Sequence, residues 1–393
     1  MASATAGRYQ TKRSDLAVKQ SDLYFADTYE ANRTKFRDLI SIVRNYWPRV
    51  EHDTCPVNGS DQKLTIDVIK ALPPKQTKNL IMFSTGLHGI EGYIGAAVQH
   101  LFVDHYLDRL NSSDTGLILV HAINPWGMKH HRRVNEHNVD LNRNFIYGGI
   151  NDPGLLNPAY DRAISFLNPS ESMSSCNNPL FYPTLLSKIF AMGPASFREA
   201  VLYGQYRHPR GLYYGGKGAE PSTAFMKQIF QEAVVPYQRI LYLDMHSGYG
   251  PRYQMTLINS VHEKRNSKSL QERFNYPLVA KTDPEEFYPM QGDMVDYFYQ
   301  YMDDHHQDKY FYGTSFEFGT LGEGFSAVAR SLKAMINENR LFHYGAKSKK
   351  VNDLVRYNFE ELFNPTEQTW RQKALKDARH ALDGILRAEE FLK

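Results

Sequence analysis

The chain has 393 residues, 42% of them hydrophobic and 23% charged, and its 46 basic and 43 acidic side chains are interspersed to a formal net charge of +3. That length suits one large α/β domain with additions and buries a sizeable core without staples, while the charge balance leaves no footprint for nucleic acid or an anionic membrane. Cys55 and Cys176 are the only cysteines and form no ligand spacing. A disulfide framework is therefore excluded. No apolar leader opens the chain and no run approaches the roughly 18 apolar residues of a membrane span, so the expectation is a cytoplasmic, non-membrane protein.

In chain order, residues 21–46 predict an amphipathic helix, with Ser21 as N-cap, Phe25, Tyr29, Phe36, Ile40 and Val43 at helical spacing, and Pro48 as the stop. LTIDVI (64–69) and NLIMFSTG (79–86) read as strands. GYIGAAVQHLFVDHYLDRL (92–110) reads as a helix, and GLILVHAIN (116–124) as a further strand. Apolar runs of this length, bounded by Gly, Pro and Asn and alternating with helices, suggest strands buried on both faces of a mostly parallel sheet. Residues 146–220, rich in Gly, Pro, Asn, Ser and Tyr, break the pattern and read as an insertion. A helix near 222–235, strands at 239–248 and 309–320, and helices at 324–344 and 366–392 restore it. There is no internal repeat. The fold class is α/β, a mixed, mostly parallel sheet sandwiched by helices. The domain reading is one unit over 1–393, with an N-terminal helical extension (1–50), the insertion (146–220) and a C-terminal helix (366–392).

Chemistry concentrates at the strand ends. In STGLHGIEGYIG an apolar strand runs into a glycine turn carrying His88 and Glu91, and the carboxyl end of a parallel strand is where open α/β sheets bind ligands. Imidazole plus carboxylate at i and i+3 suits zinc, although H-x-x-E alone is a weak signal, more often a capped helix start with an exposed histidine. LYLDMHSGYG delivers His246 from a second strand end. Two histidines and one glutamate make the three-ligand set of a catalytic zinc, with a fourth position open to water. In SFEFGT, Glu317 stands near the end of a hydrophobic strand, either on a wet face or as an acid–base group. INPWGMKHHRRVNEHNVDLNRNF (123–145) is dense in Arg and Asn. There Asn142 and Arg143 can grip a carboxylate, and Arg132 or Arg133 can face an oxyanion. The adjacent pairs His130-His131 and His305-His306 do not converge easily on one ion and read as exposed loop residues. The tyrosine-rich YGQYRHPRGLYYGG (203–216) either lines a substrate channel or packs on the surface.

These motifs together resemble the zinc metallocarboxypeptidase superfamily typified by carboxypeptidase A, with its phosphorylase/hydrolase-like fold, and most closely an uncharacterised, non-secreted branch of it. HGIE, NPWG, RRVN, DLNRNF, MHSG and FEFG occur in the family's order, and GDMVDYFY (292–299) resembles its G-x-x-x-D-W-x-Y element. The likeness spans residues 79 to about 330. It implies one zinc ion per chain on His88, Glu91 and His246, Glu317 as general base, and Arg133 polarising the carbonyl with Arg132 as rival. Asn142 and Arg143 would hold a substrate carboxylate, with Tyr299 as the mobile tyrosine closing on it. The expected activity is hydrolysis of a peptide or amide bond next to a free carboxylate. The alternatives are an N-acyl amino acid deacylase of the aspartoacylase and succinylglutamate desuccinylase type, and a catalytically silent zinc protein that binds peptide termini. The stretch between the N-R pair and His246 is about 50 residues longer than the family's, which is the 146–220 insertion.

Overall fold

The structure, a computed structural model, describes residues 23–57, 64–74, 78–149, 157–175, 178–282, 290–322 and 324–392. Helix α1 (Tyr29–Val43) is shorter than its periodicity predicts, because Thr28, not Ser21, caps it by accepting from the amide of Ala31. Ser21 and Cys176 lie outside the described residues. Strands β1 (Arg49–Pro56), β2 (Thr65–Leu72) and β3 (Asn79–Thr85) follow, then α2 (Gly92–Tyr106), β4 (Thr115–His121) and the short α3 (Pro125–Lys129). The 146–220 segment contributes α4 (Pro158–Leu167), α5 (Phe181–Met192) and α6 (Pro194–Leu202). The remainder comprises α7 (Pro221–Val234), β5 (Arg239–Ser247), β6 (Met255–Asn259), α8 (Ser267–Phe274), β7 (Val279–Lys281), α9 (Met294–His305), β8 (Tyr310–Phe318), α10 (Phe325–Tyr344), α11 (Lys349–Phe363) and α12 (Gln368–Ala388).

The eight strands form one mixed sheet in the order β1-β2-β4-β3-β5-β8-β6-β7. Its central four, β4, β3, β5 and β8, are mutually parallel. Strand alternation explains why their sequences read as unbroken apolar runs. Ile81, Phe83, Leu241, Leu243 and Met245 pack into one core with α1, α2 and α12. Leu80, Met82, Ile240 and Tyr242 pack into another with α7 and α9 on the opposite face. A third cluster joins α4–α6 to α10 and α11, so the 146–220 segment carries its own packed helices rather than an irregular loop. Each large side chain buried in this way contributes about 1.5–3 kcal/mol relative to exposure.

The parallel arrangement brings the carboxyl ends of β3, β5 and β8 side by side, with His246 of β5 in register beside Glu317 of β8. Beyond β3 the chain must turn at once to start α2. Gly86 does this at φ +69°, where a Cβ would lie 2.8 Å from that of Ala122. Gly89 lets the turn Gly89–Glu91 press on α3, since a Cβ there would sit 2.1 Å from the Gly127 carbonyl carbon.

Candidate metal centre and active-site cleft

His88 and Glu91 ride on the turn after β3, and His246 ends β5. One potential ligand atom from each lies within 4.8 Å of the others, in the only such group of three among the described residues. Nδ1 of His88 is 2.9 Å from Glu91 Oε1, and Nδ1 of His246 is 3.0 Å from Glu91 Oε2. The carboxylate thus stands between two imidazole nitrogens that both face it.

The far side of each ring is held. Nε2 of His246 lies 2.8 Å from Asp244 Oδ2, and the other oxygen of Asp244 accepts from Ser84 Oγ at 2.6 Å. Nε2 of His88 lies 2.9 Å from Asp140 Oδ1, whose second oxygen accepts from Arg133 Nη1 at 2.8 Å. Arg133 Nη2 also stands 2.7 Å from Nε2 of His88, so either the ring N–H goes to Asp140 or the guanidinium donates to the ring. The first tautomer leaves Nδ1 bare for a metal, as carboxylate-backed histidine ligands commonly do. Asp140 also accepts from the amide of Asn142, tying the next turn to the same carboxylate.

The charge distribution follows from this burial. Desolvation would raise the Glu91 carboxyl, but the charges and hydrogen bonds of His88 and His246 overcome it and hold the group at about 2. Asp140 is likewise opposed by burial, yet Arg133, His88 and Arg143 keep it well below the ordinary carboxylate range. His246 is raised well above its usual value despite burial, chiefly by Asp244 and then Glu91. Glu317 goes the other way. Burial and the nearby Glu91 charge push it up to about 8, while its Oε1 accepts one bond, from the Tyr249 amide at 3.0 Å.

His88, Glu91, His246, Glu317, Arg133, Asn142 and Arg143 all line one cleft. Arg132 does not. Its guanidinium forms a bidentate pair with Glu338 (2.7 and 3.2 Å) and sits 3.6 Å from the Phe342 ring centroid. Of the two candidate arginines only Arg133 therefore faces the histidines. The amide of Asn142 is spent on structure: Nδ2 donates to Asp293 and Oδ1 accepts from the Met294 amide. Arg143 donates through Nη1 to the Asn142 carbonyl and through Nη2 to that of Leu202, while its buried Nε has no partner among the described residues.

Tyr299 requires correction. It lies outside the cleft, on the buried face of α9 with Val295, Phe298 and Met302, and its hydroxyl donates to Glu263 Oε2 at 2.8 Å and accepts from the Gly313 amide at 3.1 Å. A side chain locked in a helix by packing and two hydrogen bonds cannot serve as a mobile cap. His131 binds Glu360, and His130 packs against Trp126, so that pair forms no metal site. Sequence reasoning missed the supporting acids Asp140 and Asp244. Both were signalled: Asp244 precedes His246 by two on a strand and must share its face, and Asp140 opens the DLNRNF run.

The fold is thus a helix-flanked, mixed and mostly parallel sheet carrying a buried His–Glu–His group at the carboxyl ends of its central strands. The chain belongs to the family described as "Protein of unknown function (DUF2817)", whose model matches residues 25–377. No curated protein matches it significantly. Among solved structures it is similar to carboxypeptidase A from Helicoverpa armigera (12% identity, TM-score 0.44, covering 90% of this chain and 81% of that one). It is also similar to bovine thrombin-activatable fibrinolysis inhibitor in complex with tick carboxypeptidase inhibitor (15%, TM-score 0.41, 80% and 95%). A third is an aspartoacylase family protein from Mesorhizobium loti (16%, TM-score 0.34, 77% and 68%). No helix of the described residues is long and apolar enough to cross a membrane.

Proposed function

We propose that the chain is a zinc-dependent hydrolase that cleaves a peptide or amide bond next to a free carboxylate. The observation that carries this reading is the convergence of His88, Glu91 and His246 in one cleft with Glu317, Arg133 and Arg143. The donor set fits zinc: two imidazoles and one carboxylate, with both rings backed by acids and no cysteine in the group among the described residues. A bound zinc ion would supply a Lewis acid and acidify a water at its open position. Glu317, in register beside His246, would as its carboxylate accept the proton of the attacking water and return it to the leaving nitrogen. Arg133 would donate to the carbonyl oxygen as charge develops on it. Arg143, which lines the cleft, would meet the substrate carboxylate, with Asn142 as the brace that fixes its turn.

The position of Tyr299 also bears on substrate class. A mobile tyrosine closing on the substrate would favour a peptidase over an N-acyl amino acid deacylase, and Tyr299, locked in α9, gives no such preference. A screen of zinc-loaded protein against C-terminally varied peptides and N-acyl amino acids decides between them.

Protein purified without added metal is expected to hold one zinc per chain by elemental analysis, and His88→Ala and His246→Ala are each expected to lose it. Full hydrolytic activity in a metal-free sample would reject the assignment. In the metal-free state His246 is held protonated between Asp244 and Glu91, so metal binding must expel a proton. Zinc affinity should therefore fall with falling pH, and calorimetric binding enthalpies should change with the ionisation enthalpy of the buffer. Affinity independent of pH between 6 and 8 would contradict this ligand set.

A further inference from the structure

Segment 203–216 contributes Tyr213 to the cleft wall and is moulded around Arg143. A Cβ at Gly204 would lie 2.8 Å from Arg143 Cδ, and one at Gly215 would lie 2.7 Å from the Arg143 carbonyl oxygen. The Tyr206 hydroxyl donates to that same carbonyl at 2.6 Å. At the centre of the segment stands Tyr213. Its backbone sits at φ +56°, a left-handed conformation that is costly for a bulky side chain. The neighbouring chain enforces it: Gln205 N donates to the Tyr213 carbonyl at 3.0 Å, Gly215 N to the Gln205 carbonyl at 2.9 Å, and Asp140 N to the Tyr214 carbonyl at 2.8 Å.

This strain places the phenol ring against the cleft wall, with the guanidinium carbons of Arg133 and Arg143 each 5.9 Å from its centroid. Those are the two cations assigned above to the carbonyl and carboxylate oxygens of the substrate. The ring has a packing reason to be there, but the hydroxyl does not: it has no hydrogen-bond partner among the described residues. A phenylalanine would fill the same space against both arginines. Burial raises the phenol above its ordinary value, so at neutral pH it keeps its proton and can donate.

We infer that Tyr213 is a substrate-contacting residue, whose hydroxyl donates a hydrogen bond to a substrate oxygen held between Arg133 and Arg143. The inference rests on the hydrolase reading and deepens it by naming a substrate contact from the 146–220 segment. It also gives that segment a direct part in substrate choice, because the pinned backbone and the two arginines hold the Tyr213 ring at the cleft wall.

The test uses the zinc-loaded 393-residue chain and the best peptide acid from the screen. Tyr213→Phe keeps the ring and both cation–π contacts and removes only the hydroxyl. Its kcat/KM is expected to fall about 10- to 100-fold, the usual range for a hydrogen bond to a charged group, with zinc content and Tm unchanged. Tyr213→Asn tolerates the left-handed backbone and removes the ring, and is expected to lose at least as much activity while remaining folded. Wild-type kcat/KM in Tyr213→Phe would overturn the inference, and would do so even if Tyr213→Asn were inactive, since the ring would then be packing alone. Failure of the hydrolase reading shows itself separately, as a wild-type protein that loads zinc and cleaves neither peptides nor N-acyl amino acids.

Discussion

Glu317→Gln is expected to bind zinc and fold normally while losing about 10²- to 10⁴-fold in kcat, the range contributed by a positioned acid–base group. The amide is nearly isosteric, so it can still occupy the strand position in register with His246 and present an oxygen to the Tyr249 amide. What it cannot do is take a proton. Near-wild-type turnover with zinc in place would put the base elsewhere.

The same variant has a stability signature in the metal-free protein. The folded-state value of Glu317 is about 8 against an ordinary 4.5. Between those values the folded state binds the extra proton, so stability falls as pH rises. The favourable contribution is complete below about pH 4.5 and is lost as pH passes through about 8. Gln lacks this titration. The Tm of metal-free Glu317→Gln relative to metal-free wild type should therefore climb between pH 5 and pH 9, and a constant difference would mean that the carboxyl is not buried against Glu91 as described.

What the sequence disclosed and what it hid divide along physical lines. The four parallel central strands were legible because both of their faces are buried, so Asn79–Thr85 and Arg239–Ser247 read as continuous apolar runs. The positions of His88, Glu91 and His246 followed from those runs, since a polar residue directly after a buried strand lands at the sheet's carboxyl edge. Edge elements left weaker signals. β1 has no buried residue and no regular alternation, and β7 is only three residues long, too short for periodicity to register. Helix α11 went unread although its amphipathic face is strong, because the helix before it ends only at Tyr344, four residues short of the Ser348 cap. Tyr299 was misassigned because a tyrosine three residues after an Asp on a helix satisfies a spacing pattern whichever face it occupies. Its neighbours Val295, Phe298 and Met302, at i−4, i−1 and i+3, were the sign that the face is a core face. Tyr213 had no local signal at all. Its place depends on hydrogen bonds from Gln205 and on the path of 203–216 around Arg143, which only the folded chain displays.

A substrate with a free terminal carboxylate is expected to be cleaved about 30-fold to several thousand-fold faster than its amide if Arg143 receives that carboxylate. Arg143 is 1% exposed, and two of its three nitrogens are already committed to the carbonyls of Asn142 and Leu202. Neither partner is an anion. Its hydrogen bonds go only to backbone carbonyls, and the nearby Asp140 carboxylate, which feels its charge, is already held by Arg133 and His88, so an incoming carboxylate would supply a hydrogen-bonded anionic partner. An amide supplies a weaker acceptor and no charge. Such a loss is worth about 2–5 kcal/mol when the pair is desolvated, which sets the expected ratio of rates. Arg143→Ala should close the gap between acid and amide by slowing the acid alone, whereas a general folding defect would slow both together. Arg143→Lys should recover only part of the loss, because an ammonium restores the charge but not the planar fork already anchored on Asn142 and Leu202. Equal rates on acid and amide in the wild type would reject cleavage next to a free carboxylate and leave a zinc amidase in which Arg143 braces the cleft wall.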